Sequence, residues 1–166
     1  MRCLVRDRRR GAQVAAWGCE LAVGDMTDAA SLRRAVEGCD TVVHLVSIRQ
    51  GSRDRFERIM VQGTRDLLAA AVAAGARRFV LMSALGTSEE TKDLVPYYWA
   101  KWEMEQAVKA SGLESVIFRP SFVFGGGRTR RHRGVKFYGC SPGCLVMSLV
   151  ASIVLTVLLN LLLHFL

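Results

Sequence analysis

The chain has 166 residues, a formal charge of +8 and an apolar fraction of 51%. This length accommodates one domain at most, and the apolar fraction is too high for a disordered chain. Five of the positive charges fall within residues 128–136, which contain no acidic residue. The rest is only mildly basic, which argues against a nucleic-acid-binding surface over the domain. The five cysteines lack the paired spacing of a metal site, so we expect no metal and a reduced, cytosol-facing domain.

Short apolar runs alternate with helical patterns along the first three quarters of the chain. Asp28 is a good N-cap for one helix, and Gly75 and Gly112 are natural ends for two others. The helix before Gly75 carries an apolar stripe of Leu67, Leu68, Ala71 and Val72. The predicted strands cover residues 3–5, 20–23, 41–46, 79–82 and 115–118, and the predicted helices cover residues 11–17, 29–36, 53–74 and 97–110. This alternation is typical of a doubly wound parallel sheet.

The most informative stretch runs from residue 79 to residue 101. Its strand, expected to be buried on both faces, ends at Ser83, on the sheet edge where ligands bind in open α/β folds. Pro96 suits the first position of a helix, and Tyr97 and Lys101 then lie four residues apart on one helix face.

These three side chains predict proton-transfer chemistry. An ammonium near a phenol favours the phenolate and lowers a pKa that starts near ~10, and such a tyrosine exchanges a proton with a substrate oxygen. A serine hydroxyl opposite could hold that oxygen. The alternative is a helix with surface aromatics and a solvated lysine, because Tyr-x-x-x-Lys alone is a weak signal.

Several motifs together resemble the short-chain dehydrogenase/reductase superfamily over about residues 2–125. The resemblance is greatest to its atypical and extended branches, which include NmrA-like proteins, epimerases and the non-catalytic 39 kDa subunit of respiratory complex I. The matching motifs are the Ser/Tyr/Lys set together with Leu-Val-Arg-Asp, Gly-Asp-Met-Thr-Asp, Val-Val-His-Leu-Val, Gly-Thr-Arg-Asp-Leu-Leu and Arg-Pro-Ser-Phe-Val-Phe-Gly. It implies a Rossmann-like domain that binds NADP or NAD and acts on a small-molecule substrate.

The resemblance also implies a role for each matching residue. Tyr97 is the acid/base, Lys101 tunes it and holds the cofactor ribose, and Ser83 positions the substrate. The implied cofactor-binding residues are Arg6 at the 2′-phosphate of NADP, Asp25 and Met26 at the adenine, Val46 beside the pocket and Pro120 at the nicotinamide, together with Lys101. Two local alternatives stay open. The arginines from Arg6 onward could form a solvated turn, and the capping by Asp28 explains part of the Gly-Asp-Met-Thr-Asp motif.

Two departures from the family pattern bear on function. The sequence shows no Gly-x-x-Gly-x-x-Gly motif or preceding strand, so the fold is an incomplete doubly wound sheet that lacks its middle strand. We expect the strand at residues 3–5, which matches the second strand of the family, to move beside the strand at residues 41–46, which matches the fourth, or the sheet to split. We also expect this chain to bind dinucleotide poorly or not at all. The asparagine usual before the Gly-Thr pair is also replaced, by Met60-Val61-Gln62.

The C-terminal part has a different character. Residues 126–143 form a basic, glycine-rich linker, and residues 144–166 carry no formal charge over 23 positions. As a helix they would extend about 34 Å, enough to span a bilayer. With the basic run before it, this predicts a single-pass C-terminal membrane anchor with the α/β domain in the cytoplasm. A frame-shifted or spliced extension is the alternative.

Three functions are therefore compatible with the sequence. One is an NAD(P)-dependent oxidoreductase or epimerase, supported by the intact Ser/Tyr/Lys set. The second is a non-catalytic, membrane-associated nucleotide-binding or respiratory-complex assembly protein, supported by the tail and the replaced asparagine. The third is an inactive truncated fragment, supported by the missing glycine motif.

Overall fold

Parallel strands alternate with helices in the computed structural model, which describes residues 1–121. The strands of this part are β1 (Arg2–Val5), β2 (Glu20–Val23), β3 (Thr41–His44), β4 (Arg78–Met82) and β5 (Glu114–Phe118). The helices are α1 (Ala12–Ala16), α2 (Ala29–Val36), α3 (Arg53–Phe56), α4 (Gly63–Ala73) and α5 (Pro96–Ala110), and a π-helical segment, Glu57–Gln62, joins α3 to α4. The predicted α/β alternation is confirmed.

The strands form two separate parallel sheets. One sheet pairs β1 with β2, so that Val5 lies opposite Val23. The other has the order β3-β4-β5, with β4 in the centre. No ladder joins β1 to β3 within residues 1–121, and no strand in this range lies between them. Of the two arrangements expected from the sequence, the structure has the split sheet.

One apolar core lies beneath both sheets. It includes Leu32 of α2, Met60 of the π-helical segment, Phe79 and Leu81 of β4, and Met104 of α5, all with no exposed surface. Because no strand ladder joins the sheets in the described part, packing between α2 and α4 carries the connection from one sheet to the other.

Within residues 1–121, helices cover one face of the second sheet. Phe79 and Leu81 are buried against the helices, whereas Val80 between them is only half-buried. On β5, Val116 lies opposite Val80 and is 47% exposed, and Phe118 is 53% exposed. The prediction that β4 is buried on both faces is therefore wrong for the described residues, because they supply helices to one face of the sheet.

Most of the predicted helix ends are confirmed. The Asp28 carboxylate accepts a hydrogen bond from the backbone N–H of Ala30 at 3.0 Å. Pro96 is the first residue of α5. Gly75 and Gly112 follow α4 and α5 with φ near +74°, a left-handed conformation that glycine adopts at little cost.

Three predicted details need correction. The strand predicted over 41–46 ends at His44, and Val46 lies beyond it. The helix predicted over 53–74 is interrupted by the π-helical segment, in which each backbone hydrogen bond spans one residue more than in an α-helix. Val72, placed on the apolar stripe of that helix, is 51% exposed. It lines a shallow groove between α4 and α5 instead of the core.

The C-terminal predictions fall beyond the described part. The linker at 126–143 and the membrane helix at 144–166 lie outside residues 1–121. Within residues 1–121, no helix is both long enough and apolar enough to span a bilayer.

Candidate active site

The predicted site residues follow the carboxyl ends of the five described strands. Arg6 follows β1, Asp25 and Met26 follow β2, Val46 follows β3, Ser83 follows β4 and Pro120 follows β5, while Tyr97 and Lys101 lie on the first turns of α5. This is the edge at which open α/β sheets bind ligands. The sheet split divides the set, because Arg6, Asp25 and Met26 belong to the β1–β2 sheet.

Asp25 and Met26 keep unused hydrogen-bonding groups. Oδ1 of Asp25 accepts hydrogen bonds from the backbone N–H of Thr27 at 3.0 Å and from its hydroxyl at 2.8 Å. Both bonds, with a smaller contribution from the Arg6 charge, hold the pKa of Asp25 below its ordinary value. No hydrogen bond within residues 1–121 uses Oδ2 of Asp25 or the backbone N–H of Met26. An acceptor next to a donor fits the edge of an adenine ring.

Two glycines and a serine fix this loop, and the sequence did not single them out for it. A Cβ on Gly24 would lie 2.4 Å from the Cβ and Oγ of Ser31. The Ser31 hydroxyl also accepts a hydrogen bond from the backbone N–H of Asp25 at 3.2 Å. A Cβ on Gly63 would lie 2.9 Å from the Met26 carbonyl oxygen. The Gly-Thr motif that contains Gly63 was recognised in the sequence. The sequence could not show that Gly63 contacts Met26, because the two residues are 37 positions apart and such a contact leaves no local sequence pattern.

Lys101 is buried at the foot of the site, with 1% of its surface exposed. Its Nζ donates a hydrogen bond to the carbonyl oxygen of Met82 at 2.7 Å. Burial lowers the pKa of Lys101 to about 8, and the nearby Glu105 carboxylate acts in the opposite direction. The hydrogen bond to Met82 leaves two ammonium protons that no other hydrogen bond within residues 1–121 uses.

Tyr97 lies beside Lys101 and is half-buried. The Lys101 Nζ is 5.8 Å from the centroid of the Tyr97 ring. The ring makes edge contacts with Phe56 and Tyr98, at centroid separations of 6.4 and 5.9 Å. No hydrogen bond of the Tyr97 hydroxyl is formed within the described residues. The structure thus brings the tyrosine and the lysine together and leaves the phenol oxygen uncommitted.

Ser83 is engaged elsewhere. The residue is 3% exposed, and its hydroxyl donates a hydrogen bond to Oε1 of Glu105 at 2.5 Å. The same carboxylate accepts two bonds from Arg119, the residue before Pro120. Within residues 1–121 no hydrogen bond links Ser83 to Tyr97. A substrate-positioning role for Ser83 remains a prediction, and its hydroxyl bonds inward in this structure.

Glu105 was missed by the sequence reading. A signal was available, since Glu105 lies four residues after Lys101 and therefore on the same helix face. Glutamates on helices are mostly exposed, so the pattern alone favours a solvated side chain. Arg119, which was noted only as part of a motif, neutralises it from the end of β5.

His44 is a core residue. It is 2% exposed, and its Nε2 lies 2.9 Å from the Thr64 hydroxyl. That hydroxyl donates its proton to the Met60 carbonyl oxygen. Nε2 of His44 is therefore protonated and donates the hydrogen bond to the Thr64 oxygen. Burial, with a smaller contribution from Lys101, lowers the pKa of His44 to about 3, which keeps the ring neutral.

The sequence of this chain is similar to those of known NAD(P)H-binding proteins. A sequence profile of the NAD(P)H-binding family matches residues 1–160. The photosystem II assembly factor Ycf39 of Cyanophora paradoxa is 29% identical over 126 residues, covering 76% of this chain and 39% of the relative. Ceramide reductase of Caulobacter vibrioides is 33% identical over 111 residues, covering 66% of this chain and 34% of the enzyme.

The similarity extends to the fold. A crystal structure of a short-chain dehydrogenase/reductase superfamily protein from Agrobacterium tumefaciens with bound NAD superposes with a TM-score of 0.55 at 28% identity. The superposition covers 72% of this chain and 48% of that one. This chain thus spans less than half the length of each of these three proteins. The profile match and the parallel α/β fold together show that the chain belongs to the NAD(P)H-binding family, within the reductase- and epimerase-like short-chain dehydrogenase/reductase superfamily.

Proposed function

We propose that the chain forms the dinucleotide-binding part of an NAD(P)-dependent reductase or epimerase in which Tyr97 is the acid/base. The observation that carries the proposal is the pairing of Tyr97 with Lys101 on one face of α5, at the edge where the strands end. The family assignment supplies the cofactor class. One relative is named ceramide reductase, and that name describes an enzyme that carries out a reduction.

The proposed chemistry is proton transfer at a substrate oxygen. The Tyr97 hydroxyl is free of other hydrogen bonds within residues 1–121, so it can donate to or accept from a substrate. The Lys101 ammonium beside it would stabilise negative charge on the phenol oxygen. The dinucleotide, when bound, supplies or accepts the hydride.

The proposed adenosine-binding half lies on one intact sheet. Val5 and Val23 pair directly, so Arg6 and the Asp25–Met26 loop are held next to each other without the second sheet. Arg6 is exposed and close enough to Asp25 for its charge to act on that carboxyl group. An exposed arginine here supports a preference for NADP, because the guanidinium binds phosphate with two parallel hydrogen bonds.

The half-site can be tested with fragments of the cofactor. We expect 2′,5′-ADP to shift the backbone amide signals of Arg6, Asp25 and Met26 in ¹⁵N-labelled protein, and to bind more tightly than 5′-AMP. Arg6→Gln should remove the difference between the two fragments. Arg33→Gln, an exposed arginine on α2, is the matched control and should retain it. Equal binding of both fragments to the parent chain would contradict the NADP preference, and no shifts at all would contradict the half-site.

The cellular location is a separate proposal that rests on the sequence alone. The 23 uncharged positions at 144–166, preceded by the basic residues of 128–136, support a C-terminal membrane anchor. Extraction of cells without detergent tests it. The anchor predicts that the protein stays with the membrane fraction, and recovery of all of it in the soluble fraction would exclude the anchor.

A further inference from the structure

Glu105 is a fully buried carboxylate with three hydrogen bonds. Its Oε1 accepts from the Ser83 hydroxyl at 2.5 Å and from Nε of Arg119 at 2.9 Å, and its Oε2 accepts from Nη2 of Arg119 at 2.6 Å. None of its surface is exposed. Burial alone would raise the pKa of Glu105, but the bonds from Arg119 and Ser83 outweigh it and hold the pKa below its ordinary value. The group is therefore an ionised carboxylate within the fold.

The carboxylate and its two partner residues lie on or next to three different elements. Ser83 follows β4, Arg119 follows β5, and Glu105 itself is on α5. One turn earlier on α5, Lys101 bonds to the last carbonyl of β4, and one turn before that lies Tyr97. Tyr97, Lys101 and Glu105 thus form one stripe of α5, and the second and third members attach it to the sheet edge.

The strand ends are also joined by backbone bonds at the same place. The Ser83 N–H donates to the Phe118 carbonyl oxygen at 2.7 Å, and the Leu85 N–H donates to the Pro120 carbonyl oxygen at 2.9 Å. Glu105 bridges the same two segments through side chains. Its removal would leave the buried Ser83 hydroxyl without its carboxylate partner, which is costly for a buried polar group, and would free the half-exposed Arg119 side chain from the end of α5.

We propose that Glu105 is the positioning residue of the candidate active site, holding the ends of β4 and β5 against α5 and keeping Lys101 charged beside Tyr97. The importance of Lys101 for catalysis rests on the proposed function, whereas the positioning itself does not. Among residues 1–121, three titratable groups lie near the Lys101 ammonium. Glu105 and Tyr97 come from its own helix, and His44, which is neutral, comes from β3. Glu105 is the anion among them.

The first test measures the protonation of Lys101 directly. The chain has four lysines, so ¹⁵N-lysine labelling gives a small set of side-chain signals, and Lys101→Arg identifies the one of interest. Glu105→Gln keeps the side-chain shape and removes the charge. We expect it to lower the pKa of Lys101 by on the order of one unit, because a nearby anion favours the ammonium.

A matched control separates this effect from general loss of an ion pair. Arg78 and Glu114 bond at 3.0 Å across β4 and β5, where both are exposed. Glu114→Gln should leave the Lys101 titration unchanged. An unchanged Lys101 titration in folded Glu105→Gln overturns the inference.

A second readout covers the case in which Glu105→Gln does not fold. Glu105→Asp keeps the charge but shortens the side chain, so it cannot reach Ser83 and Arg119 together. We expect the Ser83 and Leu85 amides to exchange with solvent at least several-fold faster than in the parent or in Glu114→Gln. Equal exchange rates would overturn the positioning role. Neither readout needs a dinucleotide, so a failure of NADPH binding contradicts the proposed function and leaves this inference to be judged by its own results.

Discussion

The Nζ of Lys101 and the carbonyl oxygen of Met82 lie 2.7 Å apart, so the second turn of α5 is bonded to the last residue of β4. A buried ammonium needs such a partner, because desolvation disfavours its charge. The bond places Lys101 beneath Tyr97 before any ligand is present. The tyrosine and lysine of the candidate site are therefore arranged by the fold itself.

Substitution of Tyr97 by phenylalanine tests the proposed acid/base. Tyr97→Phe should reduce NADPH-dependent turnover of a carbonyl substrate by roughly 100-fold or more, because general acid/base catalysis contributes on this scale. Tyr98→Phe is the matched control, since Tyr98 is the neighbouring tyrosine on the same helix. Turnover that survives in Tyr97→Phe would exclude the phenol mechanism. Cofactor binding without any turnover in the parent chain is the result expected of a non-catalytic nucleotide-binding protein.

Lys101 should give the free energy of unfolding a dependence on alkaline pH. Its pKa is about 8 in the folded chain, against 10.5 for an ordinary lysine. Between these values the unfolded chain binds the additional proton, so stability rises with pH over this window. Urea unfolding of the parent and of Lys101→Met checks this, and the slope should shrink in the variant. Lys109→Met, in the last turn of α5, is the control. Identical slopes in the parent and Lys101→Met would show that Lys101 titrates normally.

His44 should produce the corresponding effect in acid. Its pKa is about 3 in the folded chain and 6.5 for an ordinary histidine, so the unfolded chain binds the additional proton between these values. Stability should fall as pH decreases through this window, by at most about 1.4 kcal/mol per pH unit from this one group. His44→Gln removes the titrating ring and should flatten that part of the curve. A curve of unchanged slope in the variant would contradict a buried, neutral His44.

The loop after β2 depends on the absence of a side chain at Gly24. Gly24→Ala should lower the free energy of unfolding by about 1–3 kcal/mol, because its Cβ would overlap the buried Ser31 side chain. The double variant Gly24→Ala/Ser31→Gly removes the overlap and should recover part of the loss. Thermal or urea unfolding of both variants measures this. If the double variant is less stable than the sum of the single substitutions predicts, the contact is not the cause.

The two sheets should differ in local stability. β4 is bonded on both sides, whereas β1 and β2 form a two-stranded sheet, and isolated pairs of strands are marginally stable. Amide hydrogen exchange should therefore be faster in β1 and β2 than in β4 under native conditions. Equal protection in the two sheets would mean that they unfold as one cooperative unit.

The local features of the fold were predictable where a single residue decides them. Pro96 begins α5 because it has no N–H to donate, Asp28 caps α2, and Gly75 adopts the positive φ that ends α4. The split sheet was also among the expected arrangements. The strand order of the resembled family places another strand between the equivalents of β1 and β3, so these two strands are not expected to pair with each other.

The features that failed depend on contacts between distant residues. Periodicity places Glu105 on the face of Lys101, but it does not show that Arg119, 14 positions later, comes back to neutralise it. The inward hydrogen bond of Ser83 follows from the same pairing. The exposure of Val80 depends on which elements cover the second face of the sheet, and the sequence of β4 alone carries no such information.

Dinucleotide binding is tested most directly by a calorimetric titration of the chain with NADPH, beside the variant Asp25→Ala. We expect weak but saturable binding of one NADPH per chain, because the proposed adenosine-binding half lies on β1 and β2 while the proposed nicotinamide side lies on a separate sheet. Asp25→Ala should weaken that binding at least several-fold. Heat without saturation, or the same affinity in Asp25→Ala, would contradict the assignment of the dinucleotide to this edge of the sheets.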